Sequence, residues 1–83
     1  MALASASACA TRYGLSASLF TRDLQRAHRL AAGLRAGLVW INCWMVRDLR
    51  VPFGGVGESG VGREGGLEAM RFFTEPKNVT VKL

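Results

Sequence analysis

The sequence predicts an α/β fold, and three stretches of its hydrophobic pattern carry this prediction. Apolar and polar residues alternate over residues 15–20, which is typical of a short strand. An amphipathic helix follows, and the unbroken apolar run Leu38–Ile41 then predicts a buried strand. Strand, helix and strand within about thirty residues form a βαβ unit, whose two strands we expect to be parallel.

The helix has recognisable start and stop signals. Thr21 is the expected N-cap, and Asp23 then lies in the first turn, where a negative charge is favoured. Gly37 is the expected glycine just past the C-terminus. The apolar residues that recur at helical spacing, with arginines on the opposite face, are Leu24, Ala27, Ala31 and Leu34.

The rest of the chain predicts a long glycine-rich loop over residues 42–66, a short helix over residues 67–73 and a terminal strand over residues 79–83. In the short helix, Leu67, Met70 and either Phe72 or Phe73 are expected to face inward. Because two strands and one helix do not make a domain, the unit is expected to be part of a larger sheet. The predicted regions are therefore an irregular Ala/Ser-rich start (1–12), the main body (13–73) and the terminal strand (74–83).

Composition excludes several classes of protein. No apolar run approaches the roughly 20 residues that a membrane span requires. The two cysteines are too few for a disulfide framework and have no zinc-site spacing, so a cytoplasmic setting is expected. The net charge of +5 suits a nucleic acid, with Trp40, Trp44 and Phe73 stacking on bases. The arginines are scattered, however, and a solvated helix face is the favoured interpretation.

Two short motifs suggest chemistry but have simpler explanations. The pattern GxGxxG occurs at residues 55–60 and 60–65, without the preceding strand and following helix of a dinucleotide site. Tight turns and close backbone packing are the favoured explanation. Cys43 with His28 is a possible nucleophile and base. Their positions after the buried strand and in the middle of the helix favour a packed cysteine instead.

A longer set of strings is more specific. It comprises Tyr13-Gly14-Leu15, the stretch from Gly37 to Asn42, Pro52-Phe53-Gly54-Gly55, Gly62-Arg63-Glu64 and the stretch from Phe73 to Val81. In this order and spacing, residues 11–83 closely resemble the C-terminal part of the NAD(P)-dependent aldehyde dehydrogenases. The string from Trp44 to Arg50 is similar to the subgroup that acts on 2-hydroxymuconic and 2-aminomuconic semialdehydes. Gly57, where many relatives carry lysine, and the Ala-rich start depart from the family pattern, and the start suggests a truncated or misassigned gene start.

The resemblance implies a partial aldehyde dehydrogenase catalytic domain whose last strand joins the sheet between subunits of a homo-oligomer. The family's nucleophile lies in a Gly-Gln-x-Cys string and its water-activating glutamate in a Glu-Leu-Gly-Gly string, and neither string occurs in this chain. No catalytic, cofactor-binding or metal-binding residue is therefore expected here. NAD or NADP would bind elsewhere in the parent enzyme, and the isolated chain is expected to be inactive. An interaction-only remnant that pairs with intact subunits, and the nucleic-acid module described above, are the alternatives.

The resemblance also implies three residues of the pocket for the aldehyde substrate: Trp44, Arg47 and Phe53. For the two aromatic residues the alternative is ordinary core packing. Arg47 is expected to hold a substrate carboxylate through paired hydrogen bonds, with Arg50 as a possible substitute. The alternative for Arg47 is an exposed side chain paired with Asp48.

Overall fold

A computed structural model describes residues 6–83, and it contains the expected βαβ unit. Strand β1 is Tyr13–Gly14, β2 is Ser16–Leu19, helix α1 is Leu24–Gly33 and β3 is Leu38–Ile41. Strands β2 and β3 are parallel, with Ser16 opposite Leu38 and Leu19 opposite Ile41. The predicted parallel pair is thus confirmed.

The stretch expected to be a loop contains two further pairings. Strand β4, Val56–Gly57, pairs antiparallel with β1, so that Tyr13 lies opposite Gly57. Phe53 and Glu64 form an isolated antiparallel bridge. The sequence prediction of a loop over residues 42–66 missed these pairings. A strand of two residues is too short to show an alternating pattern of apolar and polar residues.

The N-cap of α1 is Asp23 rather than Thr21. The Asp23 Oδ1 accepts a hydrogen bond from the Arg26 backbone N–H at 3.0 Å, and Asp23 has the extended backbone that an N-cap requires. Thr21 acts one step earlier, since its Oγ1 accepts a hydrogen bond from the Asp23 N–H at 3.1 Å. Both residue types can cap a helix, so sequence alone did not distinguish the two positions.

Gly37 has a different function from the one predicted. Helix α1 ends at Gly33 with Leu34 as its C-cap, and Gly37 lies immediately before β3. A Cβ atom at position 37 would overlap the carbonyl oxygen of Gly54. Glycine is thus required here because two backbone segments approach closely, and not because a helix ends.

The hydrophobic core of the described residues is small. Its buried apolar members are Ala27 on α1 and Trp40 on β3, whose indole Nε1–H donates to the Val46 carbonyl oxygen at 2.9 Å. Leu24, expected on the inner face of α1, is exposed. Every helix of residues 6–83 is too short or too polar to cross a lipid bilayer.

Both ends of the chain differ from expectation. Helix α2 is Gly66–Phe73, but Leu67, Met70 and both candidates for the third inward side chain, Phe72 and Phe73, are exposed. Residues 79–83 pair with no segment among the described residues, and a strand formed there with another chain stays a prediction. Residues 6–8 are helical rather than irregular, and residues 1–5 of the predicted irregular start lie outside the described residues. An amphipathic pattern identifies the apolar face of a helix, but it does not show which segment packs against that face.

Candidate functional site

Arg47 lies in the loop after β3 and contacts two residues that are remote in sequence. Its guanidinium carbon is 4.2 Å from the centre of the Phe53 ring, where the negative face of the aromatic system attracts a cation. Its Nη2 is 3.5 Å from Oε1 of Glu64, and the Arg47 side chain keeps 38% of its surface exposed. One N–H edge of the guanidinium therefore contacts Glu64, and its other N–H groups make no hydrogen bond among the described residues.

The partners of Arg47 are fixed by backbone hydrogen bonds. The Phe53 N–H donates to the Glu64 carbonyl oxygen at 2.8 Å, and the Glu64 N–H donates to the Phe53 carbonyl oxygen at 2.8 Å. This bridge sets an aromatic ring and a carboxylate side by side. We call Arg47, Phe53 and Glu64 the arginine cluster.

Asp48 pairs with Arg50, so the predicted alternative of an Arg47–Asp48 pair was wrong. The Arg50 Nε donates to Asp48 Oδ1 at 2.9 Å, and its Nη2 donates to Oδ2 at 2.6 Å. These side-chain hydrogen bonds are the larger cause, and the hydrogen bond from the Arg50 backbone N–H the smaller cause, of an Asp48 pKa below its usual value. The same pair raises the pKa of Arg50. Arg50 is thus engaged within its own turn, whereas Arg47 extends toward Glu64.

Trp44 lies apart from the arginine cluster. Its side chain is 72% exposed, and within residues 6–83 no hydrogen bond or aromatic contact joins it to Arg47 or Phe53. Its neighbour Met45 has a positive φ of 59°, which is uncommon for a residue other than glycine. The structure therefore brings together two of the three residues that the resemblance implied.

A groove of about 340 Å³ adjoins the arginine cluster. Phe53 and Glu64 contribute to its wall, and Leu15, Phe72 and Phe73 add apolar surface. The Phe72 and Phe73 rings meet edge to face with centres 5.0 Å apart. Sequence reasoning missed Glu64 and Leu15 as groove residues. Both residues reach the groove through backbone pairings between distant segments. These pairings depend on the path of the chain, and no local sequence pattern shows them.

The glycine-rich stretch packs against other backbone segments and does not fit a dinucleotide. At the start of α2 the Gly66 N–H donates to the Leu49 carbonyl oxygen at 3.0 Å, and a Cβ at Gly65 would lie 2.6 Å from the Val51 carbonyl oxygen. The helix N-terminus, where a pyrophosphate would bind, is thus occupied by the loop of residues 49–51. Arg63 Nη1 donates to the carbonyl oxygens of Gly55 and Gly62, each at 2.7 Å.

Cys43 and His28, the possible nucleophile and base that the sequence analysis set aside, lie apart in the structure. His28 is exposed on α1, Cys43 is half-buried after β3, and no hydrogen bond among the described residues joins them. Within residues 6–83 no group of three or more His, Cys, Asp and Glu side chains could hold a metal ion.

Comparison with known proteins gives a consistent set of similarities. Residues 3–79 match the aldehyde dehydrogenase family, so the match includes most of the Ala-rich start that was expected to depart from it. The 2-aminomuconic semialdehyde dehydrogenase of Danio rerio is 63% identical over 71 residues, which are 86% of this chain and 15% of that protein. The 2-hydroxymuconic semialdehyde dehydrogenase of Pseudomonas sp. (strain CF600) is 55% identical over 86% of this chain and 15% of its own length.

A solved structure with the same local fold is that of PnpE from Pseudomonas sp. WBC-3. It has a TM-score of 0.85 and 49% identity, covering 89% of this chain and 15% of PnpE. PnpE has also been solved in complex with nicotinamide adenine dinucleotide. The chain thus spans about 15% of the length of these relatives.

Proposed function

The chain belongs to the aldehyde dehydrogenase family, and from this premise we propose that it forms part of an enzyme that oxidises an acidic semialdehyde to a carboxylate with NAD or NADP. The relatives named for 2-aminomuconic and 2-hydroxymuconic semialdehydes support the substrate class. Within that enzyme we assign to this chain part of the wall of the substrate pocket and a segment that pairs with another subunit.

The observation that carries the proposal is the position of Arg47 over Phe53. A guanidinium has five N–H donors, and the single 3.5 Å contact with Glu64 leaves most of them available. A substrate carboxylate would accept two parallel hydrogen bonds from one edge of Arg47, while the Phe53 ring would contact the hydrocarbon part of the substrate. Arg50 is a weaker candidate because both Asp48 oxygens already engage it. We retain Trp44 as a third wall residue, since its exposed indole is free to contact a ligand.

The catalytic groups would come from the remainder of the enzyme. The Gly-Gln-x-Cys and Glu-Leu-Gly-Gly strings of the family are absent from the sequence. The glycine-rich stretch does not fit a dinucleotide, so we assign no cofactor contact to this chain. The isolated chain is therefore proposed to be inactive. The two cysteines are free, which supports a reducing, cytoplasmic setting.

The exposed residues near the end of the chain support an interaction function. Val79, Val81 and Leu83 are exposed and alternate with polar residues. Their pattern suits an edge strand that gains its hydrogen-bonding partner from a second aldehyde dehydrogenase subunit. The burial of Trp40, whose indole N–H is already bonded to Val46, argues against base stacking and hence against the nucleic-acid alternative.

A chimeric enzyme tests the assignment of Arg47. The 71 residues of this chain that match the Danio rerio relative would replace the corresponding segment of that protein, which is 63% identical. Arg47→Ala is expected to lower kcat/KM for an acidic semialdehyde. The corresponding rise in activation free energy should be about 2–4 kcal/mol, the scale of one lost charge-assisted pair. A neutral aldehyde of similar length should be oxidised almost as before.

Two further variants make the result specific. Arg71→Ala removes an exposed arginine that pairs with Glu68 on α2 and should leave both substrates unaffected. Arg50→Ala would instead show the acid-selective loss if Arg50 were the contact. Equal losses for acidic and neutral substrates in Arg47→Ala would contradict the assignment and indicate damage to the fold.

A further inference from the structure

We propose that Glu64 is a positioning residue that orients the Arg47 guanidinium toward a substrate carboxylate, an inference that rests on the proposed function. Glu64 is not expected to touch the substrate. Its effect would pass through Arg47, which it contacts at 3.5 Å.

The backbone gives Glu64 a fixed place beside the aromatic ring. The two 2.8 Å hydrogen bonds with Phe53 set the register of residue 64 against residue 53. The guanidinium carbon lies 4.2 Å from the centre of the Phe53 ring, and the Glu64 carboxylate contacts one N–H edge. The cation–π contact alone sets the distance of the guanidinium from the ring but not the direction in which its N–H groups point. A carboxylate at one edge removes this freedom and directs another edge away from Glu64.

The cost of ordering an arginine side chain explains why this matters. A free arginine loses rotamer entropy when it is held in one geometry. Contacts with Phe53 and Glu64 order Arg47 before the substrate binds, so less is lost on binding.

An opposing effect of Glu64 is electrostatic, because its negative charge repels an anionic substrate. The Glu64 side chain is 65% exposed, and its contact with Arg47 is long. Solvent screens such a charge strongly, whereas the geometric constraint on Arg47 does not depend on screening. We therefore expect ordering to outweigh repulsion.

The test uses the chimeric enzyme with Glu64→Ala, Glu64→Gln and Arg47→Ala, and the double variant of Glu64→Ala with Arg47→Ala. Glu64→Ala is expected to raise KM for the acidic semialdehyde about two- to fivefold, the range of an exposed ion pair. The rise in KM should be larger for the acidic semialdehyde than for a neutral aldehyde of similar length. Glu64→Gln, which keeps an oxygen acceptor in a side chain of similar size, should raise KM less than Glu64→Ala does. In the Arg47→Ala background, Glu64→Ala should have no further effect.

The possible results separate the two ideas. If Arg47→Ala leaves the preference for the acidic substrate intact, the proposed function fails and this inference fails with it. If Arg47→Ala is acid-selective but Glu64→Ala lowers KM, or raises it equally in the Arg47→Ala background, the inference alone is overturned. Glu68→Ala, which removes an exposed carboxylate on α2, is the matched control for general charge effects.

Discussion

Arg47 and Arg50 are three residues apart in one loop and have different partners. The two Asp48 oxygens bind one edge of Arg50, its Nε and Nη2, while Arg47 lies over Phe53 and approaches Glu64. The division follows from distance along the chain. A short side chain such as aspartate reaches the backbone N–H and side chain two positions ahead, at 2.9 Å, and so captures Arg50.

The Asp48–Arg50 pair predicts a local pH dependence. Because the pKa of Asp48 is lowered from 3.8, its stabilising contribution is fully present above that value and is lost as pH falls through the lowered pKa. We expect the Asp48 carboxyl carbon, followed by NMR in labelled protein, to titrate below the range of a model peptide. Arg50→Ala should move the midpoint only part of the way back to the ordinary value, because the backbone N–H of residue 50 still donates to Asp48, whereas Arg47→Ala should leave it lowered. An ordinary midpoint in the unmodified chain would show that the pair does not persist in solution.

Gly37 and Gly33 make a matched pair of sites for testing backbone packing. A Cβ at Gly37 would overlap the Gly54 carbonyl, and backbone cannot move aside as a flexible side chain can. Gly37→Ala should therefore destabilise the chimeric enzyme by about 1–3 kcal/mol or more, the usual cost of overpacking. Gly33 ends α1 with no atom within 4 Å of an added Cβ, so Gly33→Ala should be neutral or slightly stabilising. Thermal or denaturant unfolding measures both, and a loss confined to Gly33→Ala would refute the packing argument.

At the scale of elements, helix α1 depends on a side-chain cap at its start. Asp23 caps the helix directly, and Thr21 supports Asp23 through its backbone N–H. Helix α2 begins instead at Gly66, and its N-cap residue Gly65 provides no side-chain cap. Its first turn relies on the loop of residues 49–51, whose carbonyl oxygen at Leu49 accepts the Gly66 N–H at 3.0 Å. The N-terminus of α1 is thus stabilised by residues next to it in sequence, and that of α2 by a distant loop.

The cap of α1 can be tested by hydrogen exchange. Asp23→Ala should cost about 1 kcal/mol and raise the local opening equilibrium of α1 roughly fivefold. Thr21→Ala removes only the bond to the Asp23 N–H and should accelerate exchange less. Mass spectrometry of peptides from α1 in the chimeric enzyme measures both variants. A larger effect at Thr21 than at Asp23 would mean that Thr21 is the true cap.

At the scale of the whole molecule, the chain is elongated and poorly covered. Its radius of gyration is 17.2 Å, against about 12 Å for a compact chain of this length. Large apolar side chains are exposed from Leu15 to Leu83, and few are buried. The matched relatives are several times longer, and we propose that their additional chain covers these surfaces.

This distribution predicts the behaviour of the isolated chain. With Ala27 and Trp40 as its buried apolar residues, it should not unfold cooperatively as a dilute monomer. Circular dichroism during heating should show a broad change, and the same sample should produce no NADH from aldehyde and NAD. A sharp thermal transition at low concentration would contradict the first expectation, and NADH production would contradict the second.

The sequence by itself determined the βαβ unit and the position of the short helix, because these depend on periodicity and on hydrogen bonds between near neighbours. It also pointed to the family, through the strings around Phe53 and Trp40, and the family match over residues 3–79 includes both. Arg47 and Phe53 were identified through that resemblance, and the structure brings them into contact.

Tertiary structure alone decided the partners. The pairing of β1 with β4 and the contact of Gly37 with Gly54 join segments separated by many residues, and no local pattern encodes the chain path that brings them together. The same holds for Glu64, which reaches Arg47 across 17 positions only because its backbone pairs with Phe53. The apolar face of α2 was predictable as a face, but whether it is covered depends on atoms outside the helix.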